Sequence, residues 1–192
     1  MTAIPSLREV RSGVYGAWRL ARLDSKAMRW FDRTPEGTAR SFWAAIICFP
    51  GFIALLALRV DPEAWIRSGV GHILLVESIG YVVGWTAYPL AALGFCRILG
   101  RERGGFDFVT AYNWSQILET ALFILVALVS ALHLLSDTAT GILSAVALIL
   151  VLVYEWFIAR VATGAGGLAA TTLVLLDLVL GAGLSRITQG LY

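Results

Sequence analysis

Apolar residues along this 192-residue chain fall in long unbroken runs, not in the alternation of a half-buried strand, and short polar or glycine-rich stretches separate the runs. Five runs are long enough to cross a hydrocarbon layer, which takes roughly 20 helical residues. They predict membrane helices over about 41–58, 71–99, 109–134, 140–159 and 168–184. Cap chemistry marks the approaches. Thr34-Pro35-Glu36 leads into the first span, Asp61-Pro62-Glu63 opens a short interfacial turn or helix before the second, and Ser136-Asp137 starts the fourth. Pro50-Gly51 and Pro89 predict kinks or loosened backbone, and the second run exceeds a bilayer's need, so tilt, a kink or protrusion must absorb its excess. The expected fold is all-α, a polytopic membrane protein with five transmembrane helices behind an N-terminal amphipathic interfacial helix. Its expected division is a basic cytoplasmic segment over 1–40 and a transmembrane domain over 41–192.

The amphipathic pattern lies in the first segment. Leu7, Val10, Val14, Trp18 and Ala21 recur at helical spacing, while Arg8, Arg11, Arg19 and Arg22 lie mostly off that face. A second stretch, Lys26 to Phe31, offers Trp30 and Phe31 as headgroup anchors. Residues 1–41 hold eight basic and four acidic residues, a net +4, and the remainder holds seven basic and nine acidic, a net −2. Each Lys or Arg near an anionic leaflet contributes about 1 kcal/mol, so the segment is expected to lie on anionic headgroups. Arg8, Arg11, Trp18, Arg19, Arg22 and Trp30 are its candidate membrane-surface or partner contacts. The head either sets topology alone or also docks a cytoplasmic or membrane partner.

Charge also orients the chain. With the N-terminus inside, the inner segments carry the eight basic residues of the head plus Arg97, Arg101, Arg103 and Arg160, against Arg59, Arg67 and Arg186 outside. The N-terminus is therefore expected in the cytoplasm and the C-terminus on the opposite side, in what reads as a bacterial inner membrane. No cleavable leader is expected, because the first strongly apolar run begins at Phe42 behind the charged segment. Composition agrees: 58% of residues are hydrophobic and 15% charged, against about 25% charged in soluble domains. Secreted disulfide scaffolds, nucleic-acid-binding domains, coiled coils and disordered tails are excluded.

Ionisable groups in hydrocarbon are costly and are functional candidates by default. Four acids fall within the spans: Glu77, Glu119, Glu155 and Asp177. Counting about 1.5 Å per residue puts Glu77 near the outer interface, Glu155 near the inner one, and Glu119 and Asp177 near the middle. Tyr112, Gln116 and Glu119 share one face of the third span with Asn113 beside them, and Glu77, Tyr81, Trp85 and Tyr88 form a stripe on the second. The simplest arrangement is a polar seam between spans two, three and five. Such a seam either holds helices together by hydrogen bonds, conducts a proton or cation through Glu119 and Asp177, or holds a bound lipid or cofactor. Gly80 with Gly84, and Gly181 with Gly183, offer close-approach surfaces.

Other chemistry is sparse. Cys48 and Cys96 lack metal spacing and read as small buried hydrophobes. His72 and His133, near span ends, are expected to face interfacial water and not to ligate heme. HExxH, GxSxG, P-loop and CxxC motifs are missing, so no catalytic residue, metal or cofactor is expected and the chain is not read as an enzyme.

Residues 81–90, YVVGWTAYPL, and 111–118, AYNWSQIL, together with five spans over roughly 40–190, resemble the Yip1-type membrane protein family. The resemblance implies a non-catalytic membrane protein; eukaryotic members act in vesicle trafficking with small GTPase partners. Here a compact basic head stands in place of that family's longer acidic or proline-rich cytoplasmic region, so a GTPase partner is not carried over. The function expected is a scaffold, assembly factor or accessory subunit of a membrane complex, with a membrane-protein partner or a second copy of the chain. The alternative is a small transporter or proton- or cation-conducting protein using the intramembrane acids.

Overall fold

A computed structural model describes residues 4–192, which form helices with no strand among them. Eight α-helices follow in order: α1 (Leu7–Ala21), α2 (Pro35–Ser41), α3 (Trp43–Arg59), α4 (Pro62–Ser68), α5 (Val70–Ile98), α6 (Glu102–Ala131), α7 (Asp137–Thr163) and α8 (Gly167–Gln189), with a 3-10 turn over Ser25–Trp30. Five helical segments are long and apolar enough to cross a membrane: Pro35–Arg59, α5, α6, α7 and α8. Their outward faces carry bare aliphatic side chains such as Ile46, Leu75, Val82, Leu125, Ile149 and Val179, which lipid can cover and water would not. The molecule is an integral membrane protein of five spans. We call the end bearing α1 and α2 the head side and the end bearing α4 and Tyr192 the tail side.

The expected caps form. Thr34 Oγ1 accepts from Gly37 N at 3.0 Å with Pro35 at the helix start, Asp61 does the same for α4 at Glu63 N, and Ser136 caps α7 through Ala139 N. Gly164 closes α7 at φ 59, a left-handed conformation that glycine adopts without a Cβ penalty, and Arg101 donates to the Thr163 and Gly164 carbonyls at 3.1 and 2.6 Å. Helices α3 and α5 run through Pro50 and Pro89 without a break in assignment. The third span differs most from expectation: α6 begins at Glu102, not 109, its exposed first residues continuing as helix into a stretch that is buried against the head from Asp107.

Helix α6 is the centre of the bundle, touching α1, α2, α3, α5 and α7, while α8 closes the far side against α5 and α7. Its head-side half, Asp107 to Ser115, is buried without interruption. Close helix contacts explain part of this. A Cβ on Gly80 of α5 would stand 2.7 Å from Thr188 Cγ2, and one on Gly84 would stand 3.4 Å from Leu184, so this pair forms the expected close crossing with α8. Gly181 and Gly183 do not: nothing lies within 4 Å of a Cβ at either, and Gly181 lines a cleft instead.

The head corrects its own pattern. The buried face of α1 is Gly13, Gly16, Ala17 and Leu20, with Val10 and Val14 partly covered, whereas Leu7 (78% exposed) and Trp18 (52%) point away from the bundle. Glycines count as neither polar nor apolar in a periodicity, yet they let α1 approach α6 and α7 closely. A Cβ on Gly13 would meet the Trp114 ring at 2.5 Å, and one on Gly16 would meet Phe31 at 2.8 Å. Tyr154 of α7 donates to the Ala17 carbonyl at 2.8 Å. Ion pairs complete the docking: Arg40 bridges Glu9 and Asp32, and Arg33 pairs with the buried Asp107 of α6. The described part of the head, from α1 to α2, is thus packed onto the transmembrane helices.

Candidate functional site

On α6, Tyr112, Ser115, Gln116 and Glu119 fall at successive three- and four-residue steps and share one face. Glu119, 5% exposed, accepts from Ser115 Oγ at 3.1 Å and from Gln116 Nε2 at 2.9 Å. Tyr112 donates its hydroxyl to Asp177 Oδ2 of α8 at 3.1 Å. Glu155 of α7, equally buried, faces the same interior as Glu119 and Asp177 and interacts electrostatically with both. Three carboxyl groups from three spans therefore form one contiguous cluster. Two carboxyls can hydrogen-bond to each other only while one of them carries a proton, so a grouping of this kind is chemically able to hold and exchange a proton.

Sequence depth had put Glu155 near the inner interface, away from the other two acids, and had drawn the seam through spans two, three and five. The structure places Glu155 at its centre, and span four contributes. Two physical reasons account for the difference. Helix α7 extends to Thr163, four residues past the expected end, which sets Glu155 about 6 Å deeper. Side chains also lean toward their own helix N-terminus, and α6 and α7 are antiparallel, so Glu119 leans to the head side and Glu155 to the tail side and they converge.

Above the cluster, a cleft of about 600 Å³ opens on the tail side between α3, α4, α5 and α8. Tyr112, Gln116 and Asp177 line its deep end, Phe52, Tyr81 and Trp85 its wall, and Asp61, Arg67 and Tyr192 its mouth. Glu77 and Tyr81, expected in the seam, line this cleft without bonding to the acids. Tyr81 donates to the Ala45 carbonyl of α3 at 2.6 Å, and Glu77 accepts from the Tyr192 hydroxyl at 2.8 Å. Burial, reinforced by Glu77, pushes the Tyr192 phenol up to about 12. Arg67 and Ser68 hold the Tyr192 main-chain oxygen at 2.8 and 2.9 Å, and His72, exposed as expected, also bonds the Leu191 carbonyl at 2.9 Å. Tyr88 is buried deeper, its hydroxyl on the Leu173 carbonyl and its ring 4.7 Å from Tyr112.

Toward the head side the interior is polar but closed. Asn113 turns away from the acids and donates to Ser41 Oγ at 2.9 Å, and Thr38 meets Thr110 at 2.7 Å. Asp107 Oδ1 and Asn113 Oδ1 are buried with no hydrogen-bond partner. The Arg33 guanidinium is held above its ordinary value by its hydrogen bond to Asp107. Of the head's candidate contacts, Arg8, Arg11, Trp18, Arg22 and Trp30 are exposed, with Trp30 edge-on to Tyr15 at 4.7 Å, whereas Arg19 is tied to Asp24 and Tyr15. Asp24 is held below the usual carboxylate range, first by the Lys26 amide and then by Arg19.

The sequence reading passed over Ser115, Asp107 and Tyr192. Ser115 was findable, one helical turn before Glu119; Tyr192 and Asp107 depend on contacts between residues more than 70 positions apart. Both cysteines are free and buried as expected, and among the described residues no group of three or more His, Cys, Asp or Glu is arranged to hold a metal ion. No protein-family model matches this chain, and neither does any curated protein or solved structure.

Proposed function

We propose that this protein conducts protons, or couples their movement to transport, through the Glu119–Glu155–Asp177 cluster. The observation that carries this reading is the grouping of three carboxyls from three spans, with Glu119 and Glu155 buried, Glu155 interacting with both Glu119 and Asp177, and Asp177 lining a cleft open to the tail side. Neighbouring carboxyls can pass a proton by small rotations, and acids placed in hydrocarbon are functional candidates by default. Donors from Ser115, Gln116 and Tyr112 occupy the oxygens in the manner of a proton site, not of a cage for a metal ion. The chemistry is non-catalytic in this reading. The basic-residue bias puts the head side in the cytoplasm of a bacterial inner membrane, on anionic headgroups, so the cleft faces the opposite compartment.

The second reading is the scaffold or accessory subunit that the resemblance to the Yip1-type family implies. It is favoured by the same satisfied hydrogen bonds, which can serve only to join α6, α7 and α8. The two readings part on flux. In vesicles reconstituted with the full chain and loaded with a pH-sensitive dye, the first reading expects decay of an imposed pH gradient that falls at least about tenfold in Glu119→Gln and Asp177→Asn. Flux equal to that of protein-free vesicles, with the helical fold intact, would leave the scaffold reading standing.

A further inference from the structure

The cleft that reaches Asp177 has a chemistry beyond what a proton requires. Its volume of about 600 Å³ lies within the range of small-molecule sites, about 300–1,000 Å³. One wall is aromatic: the Tyr81 ring stands 4.5 Å from Phe52 and 5.9 Å from Trp85. Besides Asp61 at the mouth, which caps α4, two carboxyls lie along it at different depths, Glu77 toward the mouth and Asp177 at the floor. Neither has an ion-pair partner among the described residues. The arginines at the mouth are engaged elsewhere, Arg59 over the Phe123 ring at 5.8 Å and Arg67 on the Tyr192 main-chain oxygen at 2.8 Å.

This lining selects by charge. Arg59 and Arg67 stand only at the mouth, so an anion passing inward would meet the Glu77 and Asp177 carboxyls with no cation deeper in the lining, and a neutral apolar molecule would leave both carboxyls without a partner. A compact cation meets a counter-charge at the floor and π faces along the wall, since Trp and Tyr rings attract ammonium groups electrostatically. We propose that the cleft is a binding site for a small organic cation, an amine or quaternary ammonium carrying about one ring, with Asp177 as counter-ion, Tyr81 and Trp85 as flanking faces and Glu77 at the entrance. The site deepens the transport reading by naming a substrate class, and it rests on that reading only in sharing Asp177.

Titration calorimetry on the full chain in detergent micelles tests it, with phenyltrimethylammonium as probe and tert-butylbenzene as its neutral isostere. Expected is saturable one-to-one binding of the cation and none of the isostere. Asp177→Asn should weaken the cation at least about tenfold, and Glu77→Gln and Trp85→Leu about threefold to tenfold each. Asn and Gln preserve shape, and an unchanged melting temperature confirms the fold. Equal binding of the two probes, absence of cation binding, or unchanged affinity in Asp177→Asn would overturn the site. Proton flux on the same protein separates the two claims. Glu119-dependent flux without cation binding removes the site and keeps the conduction, whereas Asp177-dependent cation binding without flux does the reverse.

Discussion

Gly13 fixes how closely α1 can approach α6. Its missing side chain makes room for the Trp114 ring, which a Cβ would meet at 2.5 Å, and the ring is 2% exposed with little room to yield. Gly13→Ala should therefore cost about 1–3 kcal/mol by overpacking, read as a lower melting temperature of the purified protein, while Gly71→Ala, with open space around it, serves as the comparison. An unchanged melting point for Gly13→Ala would show that α1 docks otherwise. Arg33 and Asp107 make the complementary electrostatic case. Arg33 is half-exposed and Asp107 is buried, so removing the arginine leaves a buried carboxylate with neither oxygen paired. Arg33→Ala should cost about 2 kcal/mol, between the values for exposed and buried pairs, and Asp107→Asn in the same chain should restore part of it; strict additivity of the two would refute the pairing. At this scale the sequence displayed the acids but hid their partners, since neither Arg33 with Asp107 nor Glu155 with Glu119 sits at any local spacing.

Among the elements, α6 and α1 were read least well and for related reasons. A search for apolar stripes on α1 selects Leu7 and Trp18, which face outward, and misses Gly13 and Gly16, whose contribution is the absence of a side chain. The third span was expected to begin only at 109, because Asp107, Thr110 and Asn113 of α6 find their partners, Arg33, Thr38 and Ser41, about 70 residues earlier. Cap residues were legible because caps are local: Thr34, Asp61 and Ser136 all serve as expected. The tail-side latch offers a pH test of element packing. The half-buried Tyr192 hydroxyl donates to Glu77, and its phenol is raised to about 12. A raised value means that the latch's contribution is complete below the ordinary tyrosine value near 10 and is lost only as pH rises through about 12. Ultraviolet difference titration of wild type against Tyr192→Phe should show that phenol ionising near 12; ionisation near 10 would mean that Tyr192 is not latched.

For the whole molecule, hydropathy sufficed for the class and span number, because a hydrocarbon core admits few alternatives to apolar helices of sufficient length. What it could not supply is which faces meet, and that decides function here. The bundle arranges α6, α7 and α8 so that three acids converge, and a cleft among α3, α4, α5 and α8 reaches one of them, Asp177, from the tail side. Glu155 is the member that joins the other two, so the proton-conduction account depends on it more than on either acid singled out by depth. The most direct measurement is proton flux through vesicles reconstituted with Glu155→Gln, a variant that keeps the side chain's shape and removes its exchangeable carboxyl proton. The account predicts a loss of at least about tenfold relative to wild type with the fold unchanged. Wild-type flux in Glu155→Gln would contradict it, because the path would then run without the residue that links Glu119 to Asp177.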